Sequence, residues 1–168
     1  DTIEYGDIAK LNKKTFKPSK GINEKYLGLE HLNQGGFSIN SVGSSNNINS
    51  LKFKFETGDI LFGKLRPYFK KVYRPNFSGV CSTDIWVITT KDDSKINQTF
   101  LYYLTASEDF VKKTIESSEG TRMPRASWNF ISKQKFVLPS INEQKQIASI
   151  LSSLDDKVEL NQKTIKTL

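Results

Sequence analysis

The sequence predicts a mixed α and β chain, an α+β domain of short strands and helices that runs into a long terminal helix. The segment Asp84-Ile85-Trp86-Val87-Ile88-Thr89-Thr90 is rich in β-branched side chains, as a buried strand requires. Beyond Asn97 the apolar period lengthens from two to that of a helix face. From Ile147 to the end, apolar residues recur at alternating spacings of four and three, which is the seam of a coiled coil.

Residues 1–50 are polar and carry turn signals at Lys17-Pro18-Ser19, Gln34-Gly35-Gly36 and Gly43-Ser44-Ser45-Asn46-Asn47. Short strands are expected between them, in 26–32 and 37–42. Leu51-Lys52-Phe53-Lys54-Phe55 alternates with period two, predicting a half-buried strand with its lysines on the wet face. Thr57-Gly58-Asp59 is a turn, Ile60-Leu61-Phe62 opens the next strand, and 68–73 continues strand-like after Pro67.

With Asn97 as a cap, Phe100, Leu101, Leu104, Phe110, Val111 and Ile115 suit one face of a single helix ending near Gly120. A basic loop follows, Gly120-Thr121-Arg122-Met123-Pro124-Arg125-Ala126-Ser127-Trp128, and Phe136-Val137-Leu138 is a final strand closed by Pro139. Ser140-Ile141-Asn142-Glu143 has the form of a capping box. The seam then runs through Ile147, Leu151, Leu154, Val158, Asn161, Ile165 and Leu168. Asn161 interrupts it, as a residue that fixes register or partner at some cost in stability would. The other reading of this segment is a terminal helix packed on its own domain. The division expected is a globular domain at 1–139 and a helical arm at 140–168.

A chain of 168 residues holds one globular domain plus an appendage. Hydrophobic residues at 36% and charged residues at 26% allow a core and argue against wholesale disorder. The net charge of +7 favours negatively charged partners, nucleic acid or anionic membrane surfaces. No apolar run approaches the roughly 20 residues that span a bilayer, and no basic-then-apolar leader opens the chain. The lone Cys81 rules out an internal disulfide framework, fits a reducing cytoplasm, and suits a small apolar strand position. A start at Asp1 and a stop at Leu168 inside a helical pattern are expected of a fragment or a processed chain.

A search for catalytic chemistry finds little. His31 has no cysteine or histidine at metal-ligand spacing, and neither a phosphate-cradling glycine loop nor Gly-x-Ser-x-Gly occurs. Glu143-Gln144-Lys145 has the spacing of a magnesium nuclease, yet Glu143 is taken by the helix cap. Asp59 reads as a turn residue and Asp84 as a strand-edge residue. No catalytic residue and no metal site is expected.

Two basic stretches carry the positive signal. Between Leu51 and Arg74, Lys52, Lys54, Lys64, Arg66, Lys70, Lys71 and Arg74 stand against only Glu56 and Asp59, with Tyr68, Phe69 and Tyr73 interleaved. Such a strip can neutralise phosphates and offer planar or hydroxyl-bearing groups to a groove, although a solvated strand face has the same pattern. In the loop at 120–128, Arg122 and Arg125 can each bond the O6 and N7 edge of guanine with two donors. Ser127 could touch phosphate or base, and Trp128 reads as a core anchor. The candidate contacts are therefore Lys64, Arg66, Tyr68, Lys70, Lys71, Arg74, Arg122, Arg125 and Ser127. Two other classes stay open: an interaction adaptor working through the coil, and a single-strand or RNA binder stacking bases on aromatic rings.

Gly58-Asp59-Ile60-Leu61-Phe62-Gly63-Lys64-Leu65-Arg66-Pro67-Tyr68 resembles a strand common in target recognition domains of type I restriction-modification specificity subunits. Gly79-Val80-Cys81-Ser82-Thr83-Asp84-Ile85 resembles the strand that follows it there, and Tyr5-Gly6-Asp7-Ile8-Ala9 the usual start. Leu138-Pro139 with Glu143-Gln144, Ile147, Ile150, Leu151, Leu154-Asp155 and Leu160-Asn161 resembles the junction between domain and coil. The resemblance implies a twisted, partly barrel-like sheet with flanking helices, followed by the coil. It implies a subunit without catalysis of its own, in which each recognition domain reads one half of a split duplex DNA site and antiparallel helices set the spacing. Methyltransferase subunits dock on that assembly and a restriction subunit joins them, so the methyl donor and ATP belong to partners and this chain binds no cofactor. The family pattern has two domains and two coils, whereas this chain has one of each. It is then half of a longer protein, or a half-length form that pairs with itself.

Overall fold

The computed structural model describes residues 1–118 and 122–168. The expected end of the long helix near Gly120 and the first residues of the basic loop, Gly120 and Thr121, lie outside the described residues.

The centre of the domain is a four-stranded antiparallel sheet in the order β2 (Ala9–Leu11), β10 (Ile85–Thr90), β7 (Ile60–Gly63) and β8 (Val72–Tyr73). Its central pair registers Trp86 on Phe62 and Val87 on Leu61. Because side chains alternate along a strand, this sheet has two apolar faces, and both are buried. Ile60, Phe62, Trp86 and Ile88 face helices, while Leu61, Ile85 and Val87 face a second sheet. Residues 85–88 of β10 therefore read as an unbroken apolar run, and the expectation of a buried strand at 84–90 holds there, with Thr89 and Thr90 half-buried.

The second sheet has five strands in the order β3 (Thr15–Phe16), β6 (Lys52–Phe55), β9 (Gly79–Cys81), β4 (Lys25–Leu27) and β5 (Gly43–Ser44). Only the β4–β9 pair is parallel. Leu27, Phe55 and Cys81 from this sheet close over the first. Cys81 is fully buried there, and burial pushes its thiol up to about 12. The sheets abut as open layers and do not close into a barrel. A two-stranded ribbon, β1 (Thr2–Glu4) with β11 (Lys135–Val137), ties the start of the chain to the base of the terminal helix.

The helical layer is made by α2 (Gln98–Thr105) and α3 (Glu108–Glu116), with the single turns α1 (Tyr5–Ile8) and α4 (Trp128–Ile131) beside them. Sequence periodicity predicts one helix from Asn97; the structure breaks it at Ala106–Ser107. Ser107 caps α3, its Oγ accepting from the Phe110 amide at 3.3 Å. The reason is visible in the apolar spacing, which leaves no core residue between Leu104 and Phe110 except Thr105 and Ala106. The break lets each helix aim its own face at the sheet. Asn97 caps α2 as expected, its Oδ1 accepting from Phe100 at 3.0 Å.

Other sequence expectations need correction. Residues 68–73 are not one strand: Pro67–Phe69 is a 3-10 turn, flanked by Arg66 and Lys70 in the left-handed region (φ 51° and 47°). Residues 37–42 form no strand but a single bridge, Leu32 to Ile39. Lys52 is not on a wet face: at 8% exposure its ammonium donates to Ser50 Oγ at 2.6 Å and lies 5.9 Å from the Tyr26 ring centroid.

The terminal helix α5 runs from Ile141 to Thr167. The capping box is formed: Ser140 Oγ accepts from the Glu143 amide, and Glu143 Oε2 accepts from the Ser140 amide at 2.8 Å. The first half of α5 packs on α2 through buried Gln144 and Ala148, with Leu151 and Asp155 partly covered. From residue 156 onward every side chain is exposed, a stretch of 13 residues about 20 Å long. At 100° per residue the seam Ile147–Leu154–Val158–Asn161–Ile165–Leu168 lies about 80° around the helix from the packed stripe, and Leu151 belongs to both. No helix of the described residues is long and apolar enough to cross a membrane.

Candidate nucleic-acid interface

The two basic stretches of the sequence are separated by about fifty residues, and the fold joins them. Leu65 and Arg125 form an antiparallel bridge. The Arg66 amide donates to Pro124 O at 2.7 Å and the Ala126 amide to Lys64 O at 2.9 Å, while Arg66 Nη2 reaches Arg122 O at 3.4 Å. Lys64, Arg66, Arg122 and Arg125 thus gather just beyond the end of β7, an inner strand of the central sheet. Arg66, Arg122 and Arg125 are exposed, and Lys64 is half-buried.

Two of the three non-glycine residues with positive φ among the described residues lie in or beside this segment, the third being Phe37. Arg66 and Lys70 adopt left-handed conformations that cost an L-residue on the order of 1 kcal/mol each. The reward is a tight turn that holds Tyr68 half exposed, its ring 4.7 Å from Phe69. Lys70 is partly spent on the protein, with its ammonium 5.3 Å from the Phe37 ring centroid.

Besides Lys52, two further residues of the strip turn inward. Lys71 Nζ donates to Leu29 O at 2.6 Å, and Arg74 donates to Thr99 Oγ1 at 2.5 Å with its guanidinium over Tyr102. Arg74 therefore braces β8 against α2, away from Arg122 and Arg125. Ser127 is half-buried and caps α4, its Oγ accepting from Phe130 at 3.4 Å. Trp128 is half-buried against Trp86 and Tyr5, with ring centroids 5.3 and 5.7 Å away, in keeping with its expected anchoring role.

Arg125 carries a partner of its own. Its Nε donates to Asp84 Oδ1 at 2.9 Å, the hydrogen bond and the negative charge together raising the arginine's pKa further.

The structure also assembles a basic cleft that no local motif announces. A cavity of about 430 Å³ is lined by Lys10, Lys13, Lys91 and Lys133 against Glu4 and Asp7. It shares Leu11, Lys13 and Trp128 with a neighbouring cavity of about 340 Å³ that reaches Lys64 and Ala126. The lysines of the first cavity come from three separate segments, and Lys64 adds a fourth. Pairing of β2 with β10 sets Lys10 opposite Thr89, and the Lys91 amide donates to Ile8 O at 2.9 Å. A cationic track therefore leads from Lys133 past Lys13 to Lys64 and the arginine edge. An arrangement of this kind can neutralise a run of phosphates while the arginine edge faces outward.

Comparison with known proteins decides the family. A model of the type I restriction modification DNA specificity domain matches residues 1–168. The chain belongs to this family. The EcoDI specificity subunit of Escherichia coli is 26% identical to the specificity domain described here over 154 residues, covering 90% of this chain and 34% of the relative. The HindI specificity subunit of Haemophilus influenzae is 30% identical over 123 residues, covering 70% of this chain and 26% of the relative. The match thus spans about a quarter to a third of the length of these relatives. Among solved structures, the HsdS subunit of Thermoanaerobacter tengcongensis superposes with a TM-score of 0.75 at 19% identity, over 98% of this specificity domain and 44% of the other chain.

Proposed function

We propose that this chain is a sequence-specific reader of double-stranded DNA within a type I specificity subunit. Residues 1–139 form the target recognition domain and 140–168 the arm that spaces or pairs such domains. The observation that carries this reading is the joining of the two basic stretches beyond the end of β7, continuous with the lysine cleft. Phosphates lie along Lys10, Lys13, Lys133 and Lys64, and Arg122 and Arg125 reach base edges. The domain reads one half of a two-part target. Its arm, through the exposed seam from Ile147 to Leu168, meets a second such arm from the same longer chain or from a second copy.

In this reading the chain works in the cytoplasm and performs no catalysis. Methyltransferase subunits dock on it, a restriction subunit completes the complex, and the methyl donor and ATP are bound by those partners. The test is selection of bound duplexes from a randomised DNA library by the 168-residue chain. Enrichment of one short sequence supports the reading, and a mirrored, spaced pair supports self-pairing through the arm. Binding without enrichment reduces the site to a basic surface. Binding to protein partners alone favours the adaptor alternative.

A further inference from the structure

Arg125 is held at both ends. Its backbone is fixed by the bridge to Leu65. Its guanidinium meets Asp84 side-on, Nε to Oδ1 at 2.9 Å and Nη2 to Oδ2 at 3.5 Å. A guanidinium carries five N–H donors in a rigid planar fork. The side-on pairing uses the Nε hydrogen and one hydrogen of Nη2. The end-on edge, one hydrogen from each terminal nitrogen, stays free of Asp84, and among the described residues Nη1 donates to no protein acceptor. That edge has the donor spacing that matches O6 and N7 of guanine in the major groove.

Asp84 is itself anchored. Its carbonyl accepts from the Lys64 amide at 2.9 Å, and its own amide donates to Ser82 Oγ at 3.1 Å. Its side chain is 27% exposed, against 46% for Arg125, so the carboxylate sits behind the guanidinium. A carboxylate at a surface that receives phosphates works against non-specific affinity. Orientation is what it offers in return. An untethered arginine samples many rotamers and takes a phosphate as readily as a base, whereas a tethered one loses less freedom on reading a base edge.

We propose that Asp84 is a specificity-determining positioning residue, which holds Arg125 so that its end-on edge reads a guanine. The inference rests on the DNA-reading function proposed above. The experiment repeats the randomised-library selection with the wild-type chain, Asp84→Ala and Arg125→Lys, and measures binding to the selected duplex with 7-deazaguanine at the implicated position. Thermal unfolding of each variant is followed in parallel.

The expected wild-type motif contains an invariant guanine. In Asp84→Ala the preference for that guanine falls about tenfold, the other positions keep theirs, and affinity for unselected duplex holds or rises. Arg125→Lys, which keeps the charge but lacks the fork, loses the same guanine without a change in unfolding temperature. Replacing N7 weakens the wild type and leaves Asp84→Ala nearly unaffected. If either variant retains the full guanine preference, the inference is overturned. The same holds if Asp84→Ala loses all duplexes alike together with thermal stability, since Asp84 would then only fasten the segment to the sheet. A wild-type chain that enriches no sequence overturns the DNA-reading proposal itself and this inference with it. A motif that survives in Asp84→Ala overturns the inference alone.

Discussion

The junction between α2 and α5 and the arginine edge are both polar structures built on the same aromatic core, and they direct their donors in opposite directions. At the junction everything points inward. Gln144 is fully buried: its Nε2 donates to Lys95 O and Pro139 O, and its Oε1 accepts from the Asn97 amide, all within 3.0 Å. Tyr103 donates to Asp155 at 2.5 Å, and burial first, then that carboxylate, push its phenol up to about 12. At the edge the backbone is equally well bonded, but the side chains of Arg66, Arg122 and Arg125 remain exposed. One region uses polar groups to fix the direction of an arm. The other uses backbone bonds to hold cations in water.

This contrast can be tested by changes whose expected effects run from large to small. Gln144→Ala leaves an amide and two carbonyls without their partner in a buried site, and costs about 3 kcal/mol of stability in chemical denaturation. A loss below about 1 kcal/mol would mean that water replaces the side chain and that the junction is wetter than its burial indicates. Arg125→Ala leaves folding nearly untouched and costs about 1–3 kcal/mol on the selected duplex, confined to one base position, read by competition binding.

Arg66→Gly relieves the left-handed backbone while deleting a cation. Unfolding should shift in favour of the fold by up to about 1 kcal/mol, and duplex affinity should fall. Loss of both would show that the side chain, through its bond to Arg122 O, holds the loop. Lys13→Ala and Lys71→Ala separate cleft from interior. The first should make the salt dependence of duplex binding shallower by about one unit, and the second should leave it unchanged. The smallest effect concerns the cap. Hydrogen bonds from the Ser140 hydroxyl and amide hold the Glu143 carboxyl below its usual range. Because the folded value is the lower one, its contribution is present above the unfolded value and fades as pH falls through the folded one. The stability difference between wild type and Glu143→Gln should therefore narrow below about pH 4, followed by helix content against pH.

How much of this was legible in the sequence depends on whether each feature is local. The capping box at Ser140 and Glu143, the buried strand at 85–90, the turn at Gly58 and the projecting seam are written in neighbouring residues, because capping, alternation and heptad spacing act within a few positions. The family resemblance was readable for the same reason, from contiguous segments such as Gly58-Asp59-Ile60-Leu61. The candidate interface was legible only in pieces. The stretches around Lys64 and Arg125 stood out as basic, but nothing local marked Lys71 and Arg74 as turning inward or Ser127 as a cap. A lysine in an exposed strip and one bonded to Leu29 O have the same neighbours in sequence.

By itself, then, the sequence determined the class of elements, the net charge, the terminal arm and the family. Tertiary structure alone decided which cations face solvent together. The bridge from Leu65 to Arg125, the pairing of Asp84 with Arg125 and the gathering of Lys10, Lys13, Lys91 and Lys133 depend on contacts between segments from 41 to more than 100 residues apart. Such contacts are set by the register of β2, β7 and β10 in the central sheet. Register follows from which apolar faces can be buried at once, a property of the packed sheets and helices rather than of any one stretch of chain.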